Sequence, residues 1–142
     1  MSTPDAATVA GAARSTSTRV AVFAAYAAQG LGYAVVVTSL PALKQRQGVD
    51  DTVVTLIVLG VAIAAAGGSV LANALAVRFG SRTALVVGLL LQAAALPAIA
   101  LPTPFPLFVS LFAVYGIGLG CVDAATAMQG VIVQRAHGKP LL

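Results

Sequence analysis

The sequence predicts an all-α, polytopic membrane helix bundle of four transmembrane helices, with both termini on the cytoplasmic side. Three observations predict it. Of 142 residues, 59% are hydrophobic and only 8% charged, where a soluble domain carries about 25% charged residues. Those few charges are clustered, and the runs between them are long enough to cross a hydrocarbon core. Lysine and arginine then fall mostly on one side of the resulting map, as the positive-inside rule requires.

Residues 1–18, rich in Ser, Thr and Ala, show no apolar period and read as a disordered cytoplasmic tail. A transmembrane domain over 19–134 follows. Its first span, Val20 to Leu43, is free of charge and bounded by Arg19 and Lys44. That run exceeds the roughly 20 residues a bilayer crossing needs. A signal peptide would have an apolar region of only about 7–15 residues, so an uncleaved helix is the better reading.

A charged connector runs from Lys44 to Asp51. The second span, Thr52 to Val77, is again uncharged, and Asp51 or Thr52 is placed to cap it. After the tight turn Arg78-Phe79-Gly80-Ser81-Arg82, the third span covers Thr83 to Leu101, with Pro97 expected to bend its last turns. Pro102, Pro104 and Pro106 make a stiff, non-helical connector. The fourth span runs from Leu107 to about Gln134, and residues 135–142 form a cytoplasmic tail that reads as truncated.

With the N-terminus inside, Arg14, Arg19, Arg78, Arg82, Arg135 and Lys139 lie inside, and only Lys44 and Arg46 outside. The expected location is the plasma (inner) membrane, multi-pass. Connectors this short make consecutive helices antiparallel neighbours.

The net charge of +4 reflects basic residues at span ends rather than a basic face, which argues against a nucleic-acid partner. A single cysteine, Cys121, excludes an internal disulfide. The one histidine, His137, lies in the terminal segment, and no cluster supplies a nucleophile with a base or a set of metal ligands. Neither an enzyme, nor a cofactor, nor a metal is implied.

Helices in lipid associate through close backbone approach and interhelical hydrogen bonds. On the fourth span Gly116, Gly120, Asp123, Ala127 and Gly130 fall on one face, with Gly116 and Gly120 as a GxxxG pair and Gly130 a further packing glycine. Ala62, Ala66, Ser69 and Asn73 make a similar stripe on the second span. Glycines on such a face serve ordinary packing. Asp123 is different: it lies roughly 5 Å past the middle of its span at 1.5 Å per residue, and no Lys or Arg within the spans can pair with it. An ionised Asp there costs about 2.5–3.5 kcal/mol. It either faces a water-filled cavity and binds a proton or cation, or hydrogen-bonds another helix while neutral. Tyr26, Gln29 and Tyr33 share one face of the first span, where they can line a polar path or bond neighbouring helices.

The turn from Val77 to Arg82 has a local account: Arg78 meets the negative end of the second helix, Gly80 ends it, and Ser81 caps the third. The same turn resembles the signature G-x-x-x-D-R-x-G-R-R between the second and third helices of the major facilitator superfamily. Arg78, Gly80 and Arg82 match it, while Asn73, Val77 and Ser81 depart from its leading glycine, its aspartate and its middle arginine. The stretch from Gly30 to Leu43 is similar to the end of a family first helix. The stretch from Gly116 to Asp123, with Gln129, Gly130, Gly138 and Pro140, resembles the fourth helix of the bacterial branch related to fucose permease, with Ala127 in place of an asparagine.

The resemblance implies secondary active transport of a small solute, with proton coupling open, by a carrier of two six-helix halves. Four helices supply one three-helix repeat and one helix more. The expectation is therefore the N-terminal part of a longer carrier, completed by a missing C-terminal half or by another membrane chain. Two other functions fit the residues: a non-transporting membrane subunit or assembly factor docked through the GxxxG face, and a small four-helix exporter acting as a dimer.

Overall fold

The computed structural model describes the backbone of residues 6–137 and the side chains of residues 20–130 other than Val22. Four helices account for nearly all of it: α1 (Ala6–Gln47), α2 (Asp51–Phe79), α3 (Ser81–Ala100) and α4 (Phe105–His137). No strand occurs among the described residues. Each helix contains a stretch long and apolar enough to span a bilayer: Phe23–Gln47, Asp51–Phe79, Ser81–Ala100 and Phe105–Gly130. The fold is a membrane helix bundle. Helix is the outcome even for valine- and isoleucine-rich stretches, because hydrocarbon offers no partner for a free backbone N–H or C=O.

The termini of these helices refine the sequence reading. α1 continues past Leu43 to Gln47 and ends at Gly48, whose φ of +64° is the left-handed turn a helix end favours. Gly48 N donates to Gln45 O and Val49 N to Lys44 O, both at 3.3 Å, the two bonds of a Schellman cap. At its other end α1 starts at Ala6, so helix occupies residues 6–18 where an irregular tail is expected. Alanine is the strongest helix former, and that segment holds many.

The cap of α2 is Asp50, one residue earlier than expected: its carboxylate accepts from Val53 N at 2.9 Å. Asp51 pairs instead with Lys44 at 2.6 Å. Gly80 closes α2 and opens α3 together, with φ +89° and ψ 153°. Only glycine holds that conformation without strain. Ser81 lies inside α3 and makes no capping hydrogen bond there. Pro106 is the second residue of α4, not part of the connector. A first-turn N–H has no helical partner to lose, so proline is tolerated there.

α4 is the hub. It packs along α2 and α3, and α1 touches it over a smaller area. Towards the Pro102 end the core is built of large groups, Leu43, Ile57, Ile99, Phe108, Phe112 and Tyr115. Towards the Gly80 end it is built of small ones, Ala72, Ala84, Cys121 and Ala125.

Candidate functional site

The site begins with how closely α4 can be approached. On one side Gly116 and Gly120 lie directly against the α2 backbone. A Cβ added at Gly116 would come 2.6 Å from Val61 O, and one at Gly120 would overlap the Ala65 carbonyl. Gly68 does the same from α2, against Ile117. On another side of α4, Gly118 meets α3, where a Cβ on Gly88 would sit 2.8 Å from Cys121 Cβ. Among the described residues nothing lies within 4 Å of where a Cβ on Gly130 would be. The buried line of α2 is Ile57, Gly68 and Ala72; Ala62, Ala66, Ser69 and Asn73 are exposed. The expected α2 stripe is thus adjacent to the packing face, and of its members Ser69 reaches across, to Gly120 O at 3.4 Å.

Beyond Gly120 the same strip of α4 presents Asp123, which is exposed on the four-helix unit. Gln29 of α1, itself only 8% exposed, donates from Nε2 to Asp123 Oδ1. These two residues, 94 positions apart, are the pair of candidates the fold brings together. In the span Phe105–Gly130, Asp123 stands roughly 8 Å from the middle at 1.5 Å per residue, towards the Gly80 end.

Tyr26 and Tyr33 are about half exposed and make no side-chain hydrogen bond among the described residues. Gln92 and Tyr115, which sequence reasoning passed over, are further buried polar residues of the bundle: Gln92 lies beside Gly32 of α1 and Gly118 of α4, and Tyr115 belongs to the core towards the Pro102 end. Gln92 is 5% exposed and Tyr115 1%. The Gln92 Nε2, the Tyr115 hydroxyl and the Gln29 Oε1 are all buried without a hydrogen-bond partner. Gln92 did carry a signal: it is the sole polar side chain in the third span beyond Thr83.

Charged residues hold the two ends. At the Pro102 end, Arg46 on α1 donates to Ala100 O at 2.6 Å and to Ile99 O at 2.7 Å. Its guanidinium thereby satisfies orphan carbonyls at the negative end of α3. Gln47 donates to Thr103 O at 3.1 Å. At the other end Arg78, Gly80 and Arg82 are exposed in the turn, and neither arginine has an acidic partner among the described residues. Val77, at the position of the signature's aspartate, is 79% exposed.

A family model described as Major Facilitator Superfamily matches residues 22–136, which takes in the α2–α3 turn and the polar seam between α1 and α4. The chain belongs to the major facilitator superfamily. Within it, the chain is similar to an uncharacterized MFS-type transporter of Yersinia pestis, 30% identical over 133 residues. Those residues are 93% of this chain and 33% of that relative, so the chain spans about a third of its relative's length. No solved structure matches the chain significantly. Membership of this superfamily points to a transporter rather than an enzyme, and it agrees with a multi-pass membrane protein.

Proposed function

We propose that the chain works as the amino-terminal part of a secondary active transporter for a small solute, with Asp123 as its working acid. One observation carries this: Asp123 is exposed at membrane depth yet held in place by Gln29. A carboxylate at that depth does not face lipid. The face of α4 that bears it, flanked by α1 at Gln29 and by α2 at Ser69, therefore belongs against water or further protein. A family carrier supplies both, a solute cavity near the midplane between two halves. Tyr26, Tyr33 and Asn73 are exposed on the flanking helices and would extend the lining.

The carrier is completed by about eight further helices, on the same chain or another. Orientation follows the basic residues: N-terminus and Gly80 turn cytoplasmic, the Arg46 clip outside, in a plasma (inner) membrane. A lone acid suits a proton or a cationic solute. The placement in the branch related to fucose permease rests on the residues around Asp123 and Gln129.

The test is a solute-uptake panel in cells carrying the gene at its own locus, compared with a deletion strain and an Asp123→Asn strain. The deletion should change transport of one class of small solute, and Asp123→Asn should reproduce it with at least about a tenfold loss of rate. Full transport by Asp123→Asn, where the deletion shows a defect, would refute the assignment. A reporter fused after Leu142 that proved periplasmic would refute the orientation.

A further inference from the structure

The helical repeat fixes which residues wall the space around Asp123. On α1, Gln29 meets Asp123 of α4. Gly32 lies about 60° around the helix to one side of Gln29 and faces Leu96 and Gln92 of α3. Tyr33 and Tyr26 lie about 40° and 60° to the other side, and both are exposed. On α2, Ala65 meets Gly120 of α4. Leu75, about 80° to one side of Ala65, packs on the small-residue core that includes Ala84 of α3. Asn73, about 80° to the other side, is exposed. On α4 itself Asp123 lies about 160° around from Cys121, which meets Gly88 of α3. All three sets thus turn away from α3, and α1 and α2 do not pack along one another. A cleft results, with Asp123 on its floor, the tyrosines on one wall and Asn73 on the other.

The chemistry of this cleft is one-sided. Away from the helix ends, Asp123 is the sole charged residue of the four spans, so no cation of the chain compensates a carboxylate at that depth. Tyr26 and Tyr33 are seven residues apart, roughly 10 Å along the axis. A centre midway between them, level with Gln29 and hence with Asp123, is about 5 Å from each along that axis, within the reach of a cation–π contact. Gly30 lies at this level and leaves room, since among the described residues nothing lies within 4 Å of where its Cβ would be. A neutral solute would leave the carboxylate uncompensated. A hard metal ion asks for about six or more oxygens, and no group of three acidic, histidine or cysteine side chains occurs among the described residues.

We propose that the cleft binds an organic cation, an amine or quaternary ammonium, with its charge on Asp123 and its substituents between the rings of Tyr26 and Tyr33 over Gly30. Gln29, donating to Oδ1, orients the carboxylate for it. This site rests on the reading of Asp123 as a transporter's acid, and it names the class of solute.

Every group invoked belongs to the 142-residue chain, so binding is read on that chain in zwitterionic-lipid nanodiscs, with empty discs subtracted. Equilibrium dialysis of radiolabelled phenyltrimethylammonium, a permanent cation, should show saturable binding that its neutral carbon isostere, tert-butylbenzene, does not displace. Asp123→Asn should weaken binding at least about tenfold. Tyr26→Leu and Tyr33→Leu should each weaken it about fivefold, and phenylalanine at either position should rescue it to within about twofold, because the ring face holds a cation. Gly30→Leu favours the helix but fills the space between the rings, and should weaken binding about tenfold. If Asp123→Asn fails to fold, Gly30→Leu and the leucine–phenylalanine contrast at Tyr33 decide the matter. Absence of saturable binding, or full binding by Asp123→Asn, would overturn the site. Phenylalanine variants as weak as the leucine ones would overturn it in favour of a hydroxyl-bonded solute. Asp123-dependent transport of a neutral solute, without cation binding, would sink the organic cation and leave the carrier standing. Cation binding in a chain whose deletion changes no transport would do the reverse.

Discussion

Helix α4 meets α2 and α1 in opposite ways. Against α2 it is smooth: Gly116, Gly120 and Gly68 let two backbones touch, so close van der Waals contact is joined by only two weak side-chain bonds, Ser69 to Gly120 O and Cys121 to Gly68 O. Against α1 it is sparser and partly polar: the Gln29–Asp123 bond at one level and, towards the Pro102 end, Leu43 packed among the large groups of α4, where Arg46 and Gln47 bond the end of α3 and its connector. The first kind of seam locks a geometry, since any added atom overlaps a main chain. The second kind combines one apolar contact with a few hydrogen bonds, which can be exchanged.

Each seam can be broken separately. The largest effect is expected on the α2–α4 side, where Gly120→Val drives methyl groups into the Ala65 carbonyl and should destabilise the bundle by about 3 kcal/mol. Gly130→Ala on the same helix, with no close neighbour among the described residues, should change stability by less than about 1 kcal/mol. Equal losses by steric-trap unfolding in bicelles would show that the glycine contact is not specific. Next comes a change of opposite sign: Asp123→Leu should make the fourth helix insert more readily, by about 2 kcal/mol in a translocon assay. A residue kept at a cost to insertion is one held for another reason, and an unchanged insertion energy would remove that reasoning.

The clip at the Pro102 end should be worth less. Arg46→Met removes two charge-assisted bonds to the end of α3 and should cost about 1.5 kcal/mol, read as faster hydrogen exchange at the last turns of α1 and α3. Protection unchanged in that variant would mean α1 is held by packing after all. Smallest is Lys44→Met. The Lys44–Asp51 pair is largely exposed, with Asp51 at 91%, and its loss should cost under about 0.5 kcal/mol and vanish in high salt.

The residues that could be read from sequence share a property. Asp123 was legible because an acid inside an uncharged run stands out in one dimension, and Gly80 because a turn of that length between two spans needs a residue free of a Cβ. Gln29 was visible as a polar residue, but nothing in its neighbourhood says which helix it meets. Arg46 reads as the ordinary basic flank of a span. Its grip on the end of α3 depends on two chain ends meeting 53 positions apart. The α2 stripe shows the limit most clearly. Ala62, Ala66, Ser69 and Asn73 are as small and as regularly spaced as Val61, Ala65, Gly68 and Ala72, and the second line is the one that packs.

Sequence alone determined that the chain crosses the membrane four times. Long uncharged runs have no other stable form in hydrocarbon, where each backbone group must find its partner within its own helix. It also determined that one acid lies within a span. Tertiary structure alone decided which faces meet and that Gln29 meets Asp123. A soluble helix shows its inner face by being apolar on one side. These four are apolar nearly all round, so lipid and neighbour look alike along the chain, and only the fit of one backbone against another tells them apart.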